Sequence, residues 1–354
     1  MEIKLKKSNQ KKKTINLALQ GGGAHGAITW GVIDRLLEDD RIKIGAVSGT
    51  SAGAMNATLL AYGLHLGGPE AAREKLDEFW SSISRSGTFF GPVKRSATDT
   101  LFGTFKMDYS PSFLFFDALT RAFSPYQLNP FDFNPLRDIV EEAVDFDELK
   151  KCDAVKLFIG ATSVRSGKVR VFSNEEMSLD VVMASGCLPY IFKAVEVDGE
   201  DYWDGGYMGN PALFPFIHQT ETDDIVIVHI NPLVRDETPQ TAPDIMNRIN
   251  EITFNSSLYK ELREINMRQE FIDNGWIKDE HKDKLRPTRV HSIRSDLKLC
   301  GLSVPSKLNV EWDFLCALKE RGRAAAEEWL ESDFKNVGER SSFDLASEFA
   351  HIGP

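Results

Sequence analysis

A serine stands between glycines at Gly49-Thr50-Ser51-Ala52-Gly53, directly after the apolar run IGAV and ahead of the helix-like stretch AMNATLLAYG. A sharp strand-to-helix corner of this kind can hold a serine in a strained, exposed pose as a nucleophile, and glycines at 49 and 53 remove the Cβ atoms that would clash there. The pattern alone arises by chance in roughly one chain in ten of this length. It needs partners to carry a function.

Two further stretches supply candidates. The run GGGAHG, Gly21 to Gly26, follows the strand-like TINLAL and opens a helical pattern, so the backbone N–H groups of Gly22 and Gly23 are suited to face a developing oxyanion with the helix dipole behind them. The same run satisfies Gly-x-Gly-x-x-Gly, and a dinucleotide site is its rival reading. That rival requires an acid at the end of the second strand, where this chain has Val47-Ser48-Gly49 instead. A phosphate-cradling P-loop fails, because no Gly-Lys-Ser/Thr follows the glycines. Asp204 closes the strand-like DYW and precedes Gly205-Gly206, which frees its carboxylate to turn inward; a plain Asp-Gly turn is the alternative. After a serine elbow the usual order is acid and then histidine, and His218, His229, His281, His291 and His351 all follow Asp204. The base that serves Ser51 is left open between them on residue types alone.

The elements that must position these residues alternate. A β-prone TINLAL leads to the helix AITWGVIDRLLEDD, apolar at Ile28, Val32, Leu36 and Leu37, and RIKIGAV leads into the serine corner and a second helix. Such alternation implies a mostly parallel sheet with crossover helices. The regular pattern dissolves between about Arg85 and Asn134, a stretch rich in phenylalanine (Phe102, Phe105, Phe113, Phe115, Phe116, Phe131 and Phe133 among them), and its expected role is either a buried cap or a lid over Ser51. Further on, AVEVDGEDYWDGG reads as a hairpin turning at Asp198-Gly199, DDIVIVHINP as a strand, and about Ala242 to Gly275 and Asn309 to Ser332 as long helices.

Composition narrows the class. A formal charge of -11 argues against a nucleic-acid-binding body, since neutralising phosphates needs a basic face. Cys152, Cys187, Cys300 and Cys316 form no Cys-x-x-Cys pair, and neither a zinc site nor a disulfide framework is indicated. No apolar run reaches the ~18 residues of a membrane span. A cytoplasmic location is expected, with contact at the inner membrane surface through the lysines of the start (Lys4, Lys6, Lys7, Lys11, Lys12 and Lys13) as an alternative to a plain solvated tail.

Taken together, GGGAHG, GTSAG and DGG, in this order and separation, resemble the three signatures of the patatin-like phospholipases, and MASGCLPYIFKAV and DGGYMGNPALFP are similar to the segments that lead to and follow the aspartate. The resemblance runs from about Thr14 to Asn231. It implies an α/β, three-layer fold with a mostly parallel central sheet flanked by helices, and a lipid acyl hydrolase that uses a Ser–Asp dyad and no cofactor or metal. Carried onto this chain, Ser51 is the nucleophile, Asp204 the base, and Gly21, Gly22, Gly23 and Gly26 the oxyanion loop, with Gly49, Gly53, Gly205 and Gly206 shaping the turns. The substrate implied is a phospholipid or another acyl ester. A catalytically idle lipid-binding module is the alternative, against which the intact Ser51, Asp204 and glycine loop argue. One departure stands out: where the family commonly carries Arg or Lys in the glycine loop, this chain has His25. The expected organisation is a basic tail over 1–13, a catalytic domain over 14–235 with the Phe-rich insertion at about 85–134, and a helical extension over 236–354 packed on it.

Overall fold

The computed structural model describes residues 12–90, 93–95, 105, 107, 110–281, 285–295 and 302–349. Eight strands form one sheet: β1 (Lys13–Leu19), β2 (Ile42–Gly49), β3 (Lys156–Ser163), β4 (Val169–Phe172), β5 (Val195–Val197), β6 (Glu200–Asp204), β7 (Asp224–His229) and β8 (Arg289–Arg294). Their order is β5-β6-β3-β2-β1-β7-β8, with β4 paired to β3. The five strands from β3 to β8 in that order run parallel, and β4, β5 and β6 add antiparallel pairs at one side. β1 is covered on both faces, which is why NLAL and its neighbours read as a nearly continuous apolar run.

The principal helices are α1 (Gly26–Leu37), α2 (Ala52–Gly67), α3 (Pro69–Phe90), α4 (Pro111–Ala122), α5 (Pro135–Ala143), α6 (Leu179–Ser185), α7 (Ala242–Asp273) and α8 (Trp312–Ser332). The core of one face gathers Leu17, Val47 and Ile159 from the sheet with Ile28, Leu60 and Leu76 from α1, α2 and α3. A second cluster holds Ile225, Ile227 and Val290 of β7 and β8 against Leu258, Leu262 and Ile265 of α7. Because β1 and β2 are parallel neighbours, the turns that follow them, the glycine loop and the serine corner, emerge side by side at the same edge of the sheet.

Two expectations change. The Phe-rich stretch is largely helical where it is described: α3 continues to Phe90, and Pro111 at the first position of α4 starts twelve helical residues. The lysines before Lys12, together with Phe102 and Cys300, lie outside the described residues. Nor is the segment after residue 235 only helical, since β8 pairs with β7 through six residues of register and carries the parallel sheet across the expected boundary.

α8 of that segment crosses α1 at paired glycines. A Cβ on Gly322 would run into the carbonyl of Ile28, and one on Gly31 into the carbonyl of Lys319. Backbone meets backbone here, leaving nothing flexible to yield. Asp34 on α1 then binds Arg73 of α3 and Arg323 of α8, so three helices share one buried carboxylate. We expect Gly322→Ala to lower stability by about 1 to 3 kcal/mol through overpacking, measured as a shifted urea midpoint of the whole chain in a single transition. An unchanged midpoint would mean that α8 can move away from α1 without cost.

Candidate active site

Ser51 sits at the first turn of α2 with φ 55 and ψ -123, one of three non-glycine residues with positive φ among those described. That backbone is costly for an L side chain, on the order of 1 to 3 kcal/mol, and persists only where the surroundings impose it. The surroundings are visible. The Ser51 N–H donates to Ser185 Oγ at 3.0 Å, and Ser185 Oγ–H donates to the carbonyl of Gly160 at 2.7 Å. Thr50 Oγ1 donates to the carbonyl of Gly209 at 2.6 Å. Gly53 lies so close to the Leu19 and Gln20 carbonyls that any side chain there would displace the end of β1. The residue that results is 9% exposed, at the edge of solvent.

Asp204, at the end of β6, is fully buried. Its N–H donates to the carbonyl of Cys187 at 2.8 Å, and its Oδ1 accepts from Gly206 N–H at 2.7 Å. Oδ2 is buried and accepts no aligned hydrogen bond. Burial pushes the carboxyl up to about 6; the Gly206 N–H, the nearby Ser51 hydroxyl and the charge of Lys307 pull in the other direction and lose. The Ser51 hydroxyl is thus close enough to be felt by the carboxylate without yet donating to Oδ2 in good geometry.

The glycine loop lies directly against the corner. A Cβ on Gly21 would stand 2.6 Å from the Thr50 carbonyl and 2.7 Å from Ser51 Cβ, so the two turns touch only because residue 21 has no side chain. Two asparagines hold its peptide groups: Gly21 N–H donates to Asn210 Oδ1 at 2.6 Å, and Asn231 Nδ2 donates to the Gly21 carbonyl at 2.8 Å. Gln20 extends the lattice, accepting from the N–H groups of Ile230 and Asn231 and donating to Asn255.

This corrects part of the expected oxyanion set. The Gly21 amide is committed to Asn210, and the Gly26 amide to the carbonyls of Ala24 and Gly23. Gly22 and Gly23 remain, at the opening of the helical turn that precedes α1, with no acceptor for their N–H groups among the described residues. The amide of Ala52, first in α2 and next to Ser51, is left without an acceptor in the same way.

His25 is buried, bonded through Nε2 to Ser306 Oγ at 2.8 Å, and pushed down to about 3, first by burial and then by Lys307 and Arg321. It is a neutral packing residue. Of the later histidines, His218 and His281 are exposed, His229 is buried against Phe343, and His291 bridges Asp224 and Ser342 at 3.0 Å each. None of these makes a hydrogen bond to Ser51. His351 lies outside the described residues.

Ser185, Asn210, Asn231 and Lys307 were not anticipated as site residues. Asn210 and Ser185 lie within stretches whose resemblance was noted, DGGYMGNPALFP and MASGCLPYIFKAV, whereas Lys307 carries no local signal.

A family model described as patatin-like phospholipase matches residues 17–217. No curated protein sequence matches the chain. Among solved structures, VipD from Legionella pneumophila is similar at 16% identity and TM-score 0.43, over 91% of this chain and 67% of that one. A chain of the ExoU–SpcU heterodimer from the type III secretion system of Pseudomonas aeruginosa is similar at 16% identity and TM-score 0.38, over 97% of this chain and 59% of its own length.

The strain at Ser51 has a measurable consequence. Glycine adopts positive φ freely, so Ser51→Gly should be more stable than Ser51→Ala by about 1 kcal/mol. Chemical denaturation of the two variants checks it; equal stabilities would show that the corner relaxes once the hydroxyl is gone.

Proposed function

Because this chain belongs to the patatin-like phospholipase family, we propose that it is a serine acyl hydrolase that releases fatty acid from a phospholipid or another acyl-ester lipid through a dyad of Ser51 and Asp204. The observation that carries the reading is a buried carboxylate with an unsatisfied oxygen beside a serine held at positive φ.

Asp204 Oδ2 takes the proton as Ser51 Oγ attacks the ester carbonyl carbon. Negative charge then develops on the carbonyl oxygen, where the free amides of Gly22 and Gly23 stabilise it; one such donor is typically worth about 3 kcal/mol in the transition state. Asp204 returns the proton to the departing alcohol, leaving an acyl ester on Ser51. Water attacks that ester, gives its proton to Asp204, and the fatty acid leaves as Ser51 recovers its hydrogen. A carboxyl near 6 suits this role, because it is ionised at neutral pH yet more basic than an ordinary aspartate.

The aromatic segment supplies the contact with lipid. α4 buries none of its residues, Phe115 is 67% exposed and Phe131 94%, and Tyr126, Phe133 and Tyr190 are exposed as well. Lys193 Nζ donates to the Pro130 carbonyl at 2.8 Å and Ala194 N–H to Tyr126 Oη at 3.3 Å, which ties this segment to the loop that leads from Cys187 to Asp204. Exposed aromatic residues in a segment tied to the chain just ahead of Asp204 favour a lipid-facing cap over a core-enlarging one. The charge of -11 makes apolar insertion, rather than attraction to anionic headgroups, its main source of affinity.

Three outcomes are expected. Ser51→Ala should lose hydrolysis and fluorophosphonate labelling, and Asp204→Asn should come within about tenfold of the same loss, since the amide cannot take the serine proton; a histidine variant with an equal loss and intact folding would replace the dyad by a triad. The kcat/KM of wild type on a soluble ester should fall about tenfold per pH unit below an apparent value near 6, because the protonated Asp204 is no base. The paired change Phe115→Ser with Phe131→Ser should depress hydrolysis of phosphatidylcholine vesicles far more than that of a short soluble ester, and equal losses on both would remove the cap from lipid contact.

A further inference from the structure

Lys307 lies ninety residues beyond the matched family region, in a short turn, Pro305–Leu308, that docks on the glycine loop. The Lys307 carbonyl stands 2.5 Å from where a Cβ on Gly23 would be, and Ser306 Oγ bonds His25. Gly23 has φ 59, and the Lys307 carbonyl occupies the place a Cβ would take, so this contact depends on glycine there. The side chain of Lys307 then reaches back under the loop. Its Nζ donates to Asn231 Oδ1 at 3.0 Å and to Asn250 Oδ1 of α7 at 2.8 Å, with the ammonium 5.5 Å from the centre of the Phe254 ring. Asn231 is the residue that holds the Gly21 carbonyl, and Phe254 is the one whose ring fills the space over Gly206.

What this cation lacks is a direct ion pair. Both acceptors are neutral amides, and among the described residues no carboxylate lies within ion-pair distance of Lys307. The charged groups that face it are Glu251 of α7, itself paired with Arg235 and Arg248, and Asp204 of β6. His25 beside it is neutral, and Arg321 of α8 is the other cation felt at His25. A half-buried ammonium held by neutral partners next to two free amides is a preorganised positive field waiting for negative charge.

Resting on the acyl-transfer reading, we propose that Lys307 is a positioning residue of the site: it fixes the glycine loop through Asn231 and supplies the fixed positive charge that favours the oxyanion formed at Gly22 and Gly23. The loop of this chain carries no cation of its own, and the turn over Pro305–Leu308 brings one against it. The charge acts on a negative oxygen that exists only in the transition state, so its removal lowers kcat while KM is spared.

Burial holds Lys307 at about 8, against the opposing pull of Glu251 and Asp204. The cation is present below that value and lost above it. The test is the pH profile of kcat on a soluble ester, with wild type, Lys307→Arg and Lys307→Met compared after their folding is checked by circular dichroism and melting. Wild type should lose activity above about pH 8, Lys307→Arg should keep most of kcat and carry it past pH 9, and Lys307→Met should lose kcat on the order of 100-fold with KM within about threefold. A Met variant within about twofold of wild type overturns the proposal, and so does an Arg variant whose alkaline fall coincides with that of wild type. The second comparison stands even if the Met variant does not fold. Fluorophosphonate labelling of wild-type Ser51 separates the two layers: labelling with indifferent Lys307 variants removes only this role, whereas a wild type that neither labels nor hydrolyses removes the acyl-transfer reading and this role with it.

Discussion

Everything in this molecule that bears on chemistry depends on how closely two backbone turns approach each other. The glycine loop after β1 and the serine corner after β2 meet with Gly21 against Ser51 Cβ and Gly53 against the carbonyls that end β1. A parallel pair of strands delivers both turns to the same edge, but it does not by itself bring them into contact. Side chains at 21 or 53 would hold them apart by the width of a methyl group, and the amides of Gly22 and Gly23 would then no longer lie beside Ser51 as the proposed reaction requires. The strained φ of Ser51 is the other face of the same constraint, since it is imposed by the packed corner in which the residue sits.

Such an arrangement leaves many backbone polar groups buried, and the protein answers them with uncharged side chains. Asn210, Asn231, Asn255, Gln20 and Ser185 take up the peptide groups around the corner, all of them buried. Amides and hydroxyls satisfy these groups without adding a field of their own. The ionisable groups admitted beside them, Asp204, Lys307 and His25, therefore sit in a low-dielectric setting where each is strongly felt: Asp204 is raised toward neutral pH, and His25 is kept from taking a proton. A carboxylate bonded on both oxygens would be a poorer base. Leaving Oδ2 without a partner costs stability, which is the kind of cost found at a working site rather than in a scaffold.

How much of this could be read from residues alone follows from how local each cause is. Glycines at 21, 49 and 53 are demanded by contacts within or between adjacent turns, so they mark their turns in the sequence. The parallel α/β order followed from alternation for the same reason. The helices of the Phe-rich stretch are hard to read because α4 is short, is bounded by Ser110-Pro111 and by Ser124-Pro125, and leaves apolar residues such as Leu114 and Phe115 exposed instead of marking a core-facing stripe. β8 is a short strand, RVHSIR, whose pattern is set by pairing with β7 and by the contacts of His291, and nothing nearby in sequence hints at either. Which glycine amides stay free was also out of reach, since it depends on Asn210, 189 residues away from Gly21.

The same logic explains why the chain after residue 235 cannot be regarded as an appendage. α7 lays Phe254 over Gly206 and bonds Asn210 through the Phe254 carbonyl, α8 is locked to α1 by glycines on both helices, and β8 closes the sheet beside β7. Each contact touches an element that carries or supports a site residue: Gly206 holds Asp204, Asn210 holds Gly21, and α1 begins at the glycine loop. A family boundary drawn at residue 217 therefore encloses Ser51, Asp204 and the loop but not the parts that fix their separation. The segment beyond it fixes how Ser51, Asp204 and the amides of Gly22 and Gly23 sit relative to one another, and under the proposed acyl transfer, in a site whose geometry rests on the width of a single methyl group, that would be a contribution made without touching the substrate.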